Sequence, residues 1–219
     1  DIIISMKKII FIFTVIFSLM SLPSFANVQP YSIGDVNSSS IGVYQADNTI
    51  RIYDKPDVKA NVLLEIVWNE AGIGTSALSE RDVFVAFYPT KNLGFMTVMD
   101  ESEDLEWVKV LYQRNKTGWV KKSDQFKYMN WRTFFGLYGR KYGLTYLKGV
   151  DKTQKNLYSA PEEEAKIISE ITYPKAINVT GISGNWLLAI IIDLDKSQKI
   201  GWLRWRNNNG TIYLFHCIR

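Results

Sequence analysis

The chain has 219 residues, and its 26 lysines and arginines against 22 acidic residues give a net charge of only +4. This weak charge, without an arginine-rich stripe, does not favour nucleic-acid binding. The single cysteine excludes a disulfide within the chain, and one cysteine with one histidine does not support a zinc site. The sequence therefore predicts a protein stabilised by packing, with neither a metal nor a cofactor.

The N-terminal residues 1–26 are predicted to contain a secretory signal peptide. Met6, the expected initiator, is followed by two lysines, an apolar run over 9–22 and small residues that end at Ala26. An uncleaved anchor is the alternative, but this run is shorter than the roughly 20 residues that a bilayer requires. We expect export, with the periplasm favoured over the extracellular space, and no stable membrane insertion after cleavage.

The segment from Ile50 to Ile66 returns 105 positions later, from Lys155 to Ile171. Matched residues include a tyrosine, a proline, an alanine, a glutamate and an isoleucine. A second set of matches follows each copy, with a first tryptophan and then a Gly-Trp pair. The residues that carry the repeat are Tyr53 and Tyr158, Pro56 and Pro161, Trp107 and Trp186, Gly118 and Gly201, and Trp119 and Trp202. Such a repeat predicts two copies of one structural unit.

Short apolar segments bounded by turn residues predict four strands in each copy. In the first copy they are 50–53, 62–66, 107–112 and 116–120; in the second they are 157–158, 167–171, 186–192 and 200–203. The last two of each copy form a predicted hairpin. Without an amphipathic stretch of helical length between them, the pattern predicts an all-β fold with one small antiparallel barrel per copy.

These motifs resemble the bacterial SH3-type (SH3b) domain. That family ends in a Lys-Thr-Gly-Trp-Val motif, which Lys116–Val120 reproduces and Lys199–Leu203 matches except at Thr and Val. Both opening strands depart from the family's Asn-Val-Arg-x-x-Pro pattern. The resemblance implies two tandem SH3-like barrels over residues 41–128 and 147–219.

The two copies differ in length. The first has an apparent insertion over 67–104, with a predicted flexible loop at 72–76 and a predicted strand at 82–88 that ends at Pro89. An aromatic and basic segment, residues 129–146, separates the copies and lacks the composition of a flexible linker. We expect this segment to close the first barrel, open the second and hold the two together.

Catalytic patterns are weak in this sequence. His216 and Cys217 are adjacent, so on an extended strand their side chains point to opposite faces and cannot act together as base and nucleophile. Acidic runs at 100–104, 162–164 and 193–195 leave a hydrolase as the least favoured reading, because all three fall in predicted turns. The sequence predicts a protein that is not an enzyme, and it gives no role to Cys217.

Aromatic residues are the remaining candidates for ligand binding. The repeated tryptophans are expected in the core. Tyr53 and Tyr158 stand where a strand enters a turn, and could line a groove or pack in the core. Trp131, Tyr138 and Tyr142, with Arg140 and Lys141, could form a cleft between the barrels for an acidic or sugar-containing ligand, or could simply join them.

The family resemblance implies a function in the cell envelope. We expect an exported, non-catalytic protein that recognises the stem or bridge peptide of peptidoglycan. The alternative is a module that binds another envelope protein, as an adaptor or inhibitor.

Overall fold

The computed structural model describes residues 27–74, 78–113, 115–172 and 174–216. The predicted signal peptide and Cys217 lie outside these ranges. The fold is all-β, with two antiparallel sheets. Among the described residues, no helix is long and apolar enough to cross a membrane.

The first sheet contains nine strands in the described part of the chain. They are β1 (Gly42–Gln45), β2 (Thr49–Tyr53), β3 (Val62–Asn69), β4 (Gly72–Ile73), β5 (Ala86–Tyr88), β6 (Leu93–Glu101), β7 (Trp107–Tyr112), β8 (Lys116–Lys121) and β9 (Tyr128–Asn130). Their order is β4-β3-β2-β8-β7-β6-β1-β9, and β5 pairs with the N-terminal end of β6.

The second sheet contains seven strands of the described chain. They are β10 (Leu144–Tyr146), β11 (Asn156–Tyr158), β12 (Ile167–Glu170), β13 (Ala176–Ser183), β14 (Trp186–Ile192), β15 (Gln198–Arg204) and β16 (Leu214–His216). A short 3₁₀ turn, Lys152–Gln154, precedes β11. The order is β12-β11-β15-β14-β13-β10-β16.

The two sheets have the same strand order. Reading from β3 in the first sheet and from β12 in the second, each strand has a counterpart at the same place in the other sheet. Both predicted hairpins are confirmed, because β7 pairs with β8 and β14 pairs with β15. The sequence repeat therefore corresponds to a repeat of topology.

The predicted insertion over 67–104 needs correction. Its last part forms β6, which is the counterpart of β13 and lies between β7 and β1. The described residues without a counterpart are β4, the short helix α1 (Glu80–Val83), β5 and a 3₁₀ turn at Pro89–Lys91. The first unit's additional residues are thus fewer than the sequence predicts.

Within this region, the predicted strand at 82–88 is wrong in its first half. Ser79 caps α1, and its hydroxyl donates to the Asp82 carboxylate over 2.8 Å. This capping box satisfies backbone groups at the helix start, so a single helical turn forms where the sequence pattern predicts a strand. Gly72–Ile73 of the predicted loop is also ordered, as β4.

The segment between the sheets is helical, which the sequence did not predict. α2 (Trp131–Phe134) continues through a π-helical turn (Phe135–Gly139) into α3 (Arg140–Tyr142). The Asn130 side chain accepts the Thr133 N–H over 2.9 Å, and Gly143 ends the segment with a φ of 74°. We call residues 131–142 the bridge helix.

The bridge helix lies against both sheets. α2 contacts β1 of the first sheet, and the π-helical turn contacts β13 and β16 of the second. One buried cluster accordingly includes Val43 and Phe95 from the first sheet, Phe134 from the bridge helix and Phe215 from the second sheet. The predicted joining role of residues 129–146 agrees with this packing, although β9 and β10 at its two ends belong to the sheets.

Candidate functional site

Each sheet places a tyrosine against a tryptophan at the same position. Tyr53 meets Trp107 edge to face with ring centroids 5.5 Å apart, and Tyr158 meets Trp186 with centroids 5.2 Å apart. The register explains the match, because Tyr53 pairs with Trp119 and Tyr158 pairs with Trp202. The two predicted groove residues are therefore half-buried parts of equivalent aromatic clusters.

The repeated glycines allow this pairing. A Cβ on Gly118 would lie 3.0 Å from the carbonyl oxygen of Tyr53, and a Cβ on Gly201 would lie 2.8 Å from that of Tyr158. Only glycine leaves room for the neighbouring strand at this distance. The tyrosines are thus fixed by a feature of the backbone that both copies share.

A cavity of about 260 Å³ opens beside Tyr53 in the first sheet. β2 and β8 pair only at Tyr53 and Trp119, so the strands separate beyond that point. The cavity is lined by buried Tyr44, Ile50 and Val120, and by Asp47, Thr49, Arg51, Tyr53 and Lys121. The cavity is smaller than most small-ligand sites, and its lining joins buried residues to a charged rim.

The rim carries cations that are only loosely held. Arg51 Nε lies 2.6 Å from Glu65 Oε2, and Lys121 Nζ lies 3.8 Å from Glu106 Oε2, with all four side chains about half exposed. Such surface pairs are weak. Both cations are therefore free to turn towards a bound carboxylate.

The floor of the cavity is held by a hydrogen bond. The backbone N–H of Ser123 donates to the Tyr44 hydroxyl over 2.9 Å. Burial of Tyr44 raises the pKa of its phenol, so the group stays neutral at physiological pH. The site offers positive charge, one carboxylate and an aromatic edge.

The equivalent place in the second sheet is covered by an ion pair. Arg204, the counterpart of Lys121, lies over the Trp186 ring at 5.8 Å from its centroid. Its Nη1 atom lies 2.6 Å from Glu163 Oε1. In the first copy, Val58 stands at the position of Glu163, so no such pair can form there.

The predicted cleft between the barrels is not formed as expected. Trp131 is only 2% exposed, and its indole N–H donates to the Ser40 carbonyl at 3.0 Å and to the Ser40 hydroxyl at 3.2 Å. Tyr138 packs on Phe95 with centroids 5.0 Å apart. These two residues belong to the core that joins the sheets, because burying a large ring there satisfies its polar group and fills space.

Arg140 and Tyr142 lie at the surface end of the bridge helix. The Arg140 guanidinium donates to the Thr180 carbonyl over 3.0 Å. Tyr142 lines a groove of about 520 Å³ together with Lys141, Lys175 and Asn178. Of the five predicted cleft residues, Lys141 and Tyr142 therefore line this groove.

The sequence did not predict the three charged residues of the first cavity, which are Asp47, Arg51 and Lys121. They are not identical in the two copies, so the repeat does not indicate them. Differences between the copies would have indicated them, because Arg51 aligns with Asn156 and Lys121 aligns with Arg204.

His216 is 1% exposed, and neither ring nitrogen has a hydrogen-bond partner among the described residues. Aromatic rings from both sheets and the bridge helix surround it, including Phe134 at 4.8 Å and Phe95 at 6.3 Å between centroids. Burial lowers its pKa to about 3. The residue is part of the junction between the sheets.

The acidic runs lie in separate places. The run 100–104 begins with Asp100 and Glu101 inside β6, where the sequence predicted a turn, and continues into the turn before β7. The other two lie in turns, before β12 and between β14 and β15. Among the described residues, no group of three or more His, Cys, Asp or Glu side chains could hold a metal ion.

No family model matches the sequence, and no curated protein matches it. Among solved structures, the chain is similar to an NlpC/P60 endopeptidase from Photobacterium damselae subsp. piscicida at 12% identity and a TM-score of 0.23. The alignment covers 81% of this chain and 34% of that one, so this chain spans about a third of that structure's length. A likeness at this level carries no argument about activity.

Proposed function

We propose that this chain is an exported, non-catalytic binding protein of the cell envelope, built from two units of the SH3b type. Its ligand in this proposal is the stem or bridge peptide of peptidoglycan. The observation that carries the proposal is the charged cavity beside Tyr53. The Lys-Thr-Gly-Trp-Val motif at 116–120 and the N-terminal pattern of residues 1–26 support the choice of compartment and ligand.

The residues of the cavity suit a short peptide that carries carboxylates. Arg51 and Lys121 would bind a carboxylate, since charge-assisted hydrogen bonds are among the strongest available to a surface site. Asp47 on the same rim would accept a peptide amine. Tyr53 would pack against an apolar side chain such as that of alanine.

The proposal assigns recognition to the first unit. In both units the strand of the tyrosine pairs with its neighbour at a single residue pair. The first unit has the cavity beside this pair, whereas in the second unit Arg204 lies over Trp186 and pairs with Glu163. A ligand carboxylate would draw Arg51 and Lys121 from half-exposed surface ion pairs, while in the second unit it would have to displace Glu163 from Arg204, whose side chain is only 13% exposed. The second unit then acts mainly as a partner in the shared core.

Sedimentation with purified sacculi tests this function. The chain from residue 27 onwards should sediment with sacculi, and Tyr53→Ala should reduce the bound fraction while Tyr158→Ala should not. Because Tyr53 packs on Trp107 and its removal could loosen the fold, the exposed pair Arg51→Ala and Lys121→Ala provides a second test. Sacculus binding that is absent, or is equally sensitive to Tyr158→Ala, would contradict the proposal.

Binding to another envelope protein is the second candidate. A specific observation favours it, namely an apolar surface on the second sheet that lies away from the cavity. That surface supports a function of its own.

A further inference from the structure

The outer face of the second sheet carries a row of aliphatic side chains. In the pairing of β14 with β15, Leu188 lies opposite Trp202 and Ile190 lies opposite Ile200. Directly opposite residues of antiparallel strands share a face, and every second residue continues it. The row, which we call the apolar stripe, consists of Leu188, Ile190, Ile192, Ile200 and Trp202.

The apolar stripe meets solvent. Ile200 is 62% exposed, and the other four side chains are partly exposed. The opposite face of the same strands is fully buried, with Leu187, Ala189 and Ile191 in the core. β14 is therefore apolar on both faces, although only one face is needed for its own fold.

The first sheet does not need such a stripe. In the pairing of β7 with β8, Lys109 lies opposite Trp119, and Leu111 lies opposite Thr117. Lys109 thus occupies the place of Leu188, and Thr117 occupies the place of Ile200. The same scaffold folds with polar residues at these positions, so the stripe is not a requirement of the fold.

A positively charged groove borders the stripe. Ala176 and Asn178 line the groove and lie directly opposite Ile192 and Ile190 in the pairing of β13 with β14. Lys141 and Lys175 stand on the groove's wall. In the described parts of the chain, neither lysine forms an ion pair with a carboxylate, and Lys141 Nζ lies over the Tyr142 ring at 5.0 Å from its centroid. Neither positive charge is therefore neutralised within the described chain.

We propose that the apolar stripe and the bordering groove bind an amphipathic helix of a partner protein, with acidic residues along the flank of that helix that faces Lys141 and Lys175. A sheet face, unlike a sheet edge, accepts a helix, because its backbone groups are already paired. β14 spans about 20 Å at roughly 3.3 Å per residue. A helix of about 13 residues has that length.

Charge decides between a protein and a membrane surface. The turn at the other end of the stripe carries Asp193 and Asp195 together with Lys196 and Lys199, and Asp193 Oδ2 lies 2.7 Å from Lys199 Nζ, so this turn is neutral overall. The unbalanced positive charge is therefore confined to the flank with Lys141 and Lys175, whereas a flat anionic membrane would meet both ends of the stripe together. A helix can place its acidic residues at one side only.

Selection from a displayed library provides the test. The library consists of 16-residue helical peptides with a fixed pattern of apolar positions and randomised flanking positions. It is selected on the chain from residue 27 onwards and counter-selected on the Ile200→Asp variant. The proposal expects enriched peptides with leucine or isoleucine on one face and glutamate or aspartate on one flank.

Fluorescence anisotropy then measures the enriched peptides on variants. Ile200→Asp should weaken binding at least about tenfold, and the pair Lys141→Glu and Lys175→Glu should weaken acidic peptides and strengthen charge-reversed ones. Thr117→Asp, at the equivalent position of the first unit, is the matched control and should leave the affinity unchanged. Thermal unfolding checks that each variant is folded.

Several outcomes would overturn the proposal. They are no enrichment, enrichment of basic flanks, equal losses with Thr117→Asp and Ile200→Asp, flotation with phosphatidylglycerol vesicles, or dimerisation that Ile200→Asp abolishes. Sacculus binding of Ile200→Asp is measured in parallel. Because the cavity beside Tyr53 is on the other unit, the docking surface and the peptidoglycan site can fail independently.

Discussion

The two sheets share a strand order and a core, yet their outer faces differ. The first has Lys109 and Thr117 at the places that Leu188 and Ile200 hold in the apolar stripe of the second, and it has a cavity beside Tyr53. In the second, Arg204 lies over Trp186 and pairs with Glu163. Positions that the two copies share, such as Gly118 and Gly201, allow the strands to pair closely. The repeat therefore preserves the scaffold, while binding properties reside in the residues that the copies do not share.

The largest effect on stability is expected from replacing the glycines that the two units share. Gly118→Val and Gly201→Val should each lower the free energy of unfolding by about 3 kcal/mol, because the added side chain meets the backbone of the neighbouring tyrosine. Chemical denaturation measures the change. A variant of one unit that costs far less than its counterpart would show that the units do not share this constraint.

Acid should destabilise the junction between the units, where His216 is buried. Burial lowers the pKa of His216 to about 3, so between pH 6.5 and 4.5 the unfolded chain binds a proton that the folded chain does not. The free energy of unfolding should therefore fall as the pH falls, by roughly 1.4 kcal/mol per unit. Urea denaturation at several pH values measures this slope.

His216→Phe is the matching control, because it keeps a ring in the aromatic surroundings and removes the titration. His216 is the only histidine of the chain, and burial raises the pKa of Tyr138, which is in ring contact with it, above its ordinary value, so Tyr138 does not titrate in this range. The variant should show little dependence above pH 4.5. An unchanged slope would assign the effect to other groups.

Transferring the second unit's ion pair into the first unit tests whether the open cavity is the binding site. Val58→Glu with Lys121→Arg copies the ion pair of the second unit into the first, and should reduce sacculus binding at least about tenfold by covering the cavity. Val58→Gln, which is similar in size but uncharged, is the control. If the double variant binds as well as the parent protein, the cavity beside Tyr53 is not the site.

The smallest effect is expected from opening the second unit. Glu163→Ala should change the free energy of unfolding by less than about 1 kcal/mol, because Glu163 is more than half exposed. Arg204 stays hydrogen-bonded to the Arg206 carbonyl and to Asn208 Oδ1, but loss of the Glu163 side chain should uncover the Arg204–Trp186 pair and increase acrylamide quenching of tryptophan fluorescence. Glu162→Ala, in the same turn, should leave the quenching unchanged.

Local patterns predicted most of the strands. The prolines at 56 and 161, the apolar strands after them and the Gly-Trp pairs specify short strands and turns whatever surrounds them. The pattern failed at Asp82, where the cap at Ser79 forms a helical turn. It also failed over residues 131–142, where Gly136 and Gly139 disfavour a helix that packing against two sheets stabilises.

The candidate site was predicted only in part. Tyr53 was identified because it repeats, and Tyr142 because it belongs to an aromatic segment. The residue type of Trp131 does not distinguish a ligand-binding tryptophan from a core tryptophan. The carbonyl of Ser40, far away in the sequence, accepts its indole N–H and holds it in the core. Whether an aromatic ring binds a ligand or fills a core depends on such distant partners.

The sequence by itself determined the all-β class and the doubled unit, since both follow from patterns of neighbouring residues. Only the tertiary structure decided where the units differ in their surfaces. The cavity lies where β2 and β8, about 65 residues apart in the chain, separate after one pair of residues; β11 and β15 separate in the same way, but there Arg204 pairs with Glu163. The apolar stripe exists because the register of β14 and β15 places their exposed side chains on one face. Separation and register depend on contacts between distant strands, which no local pattern contains.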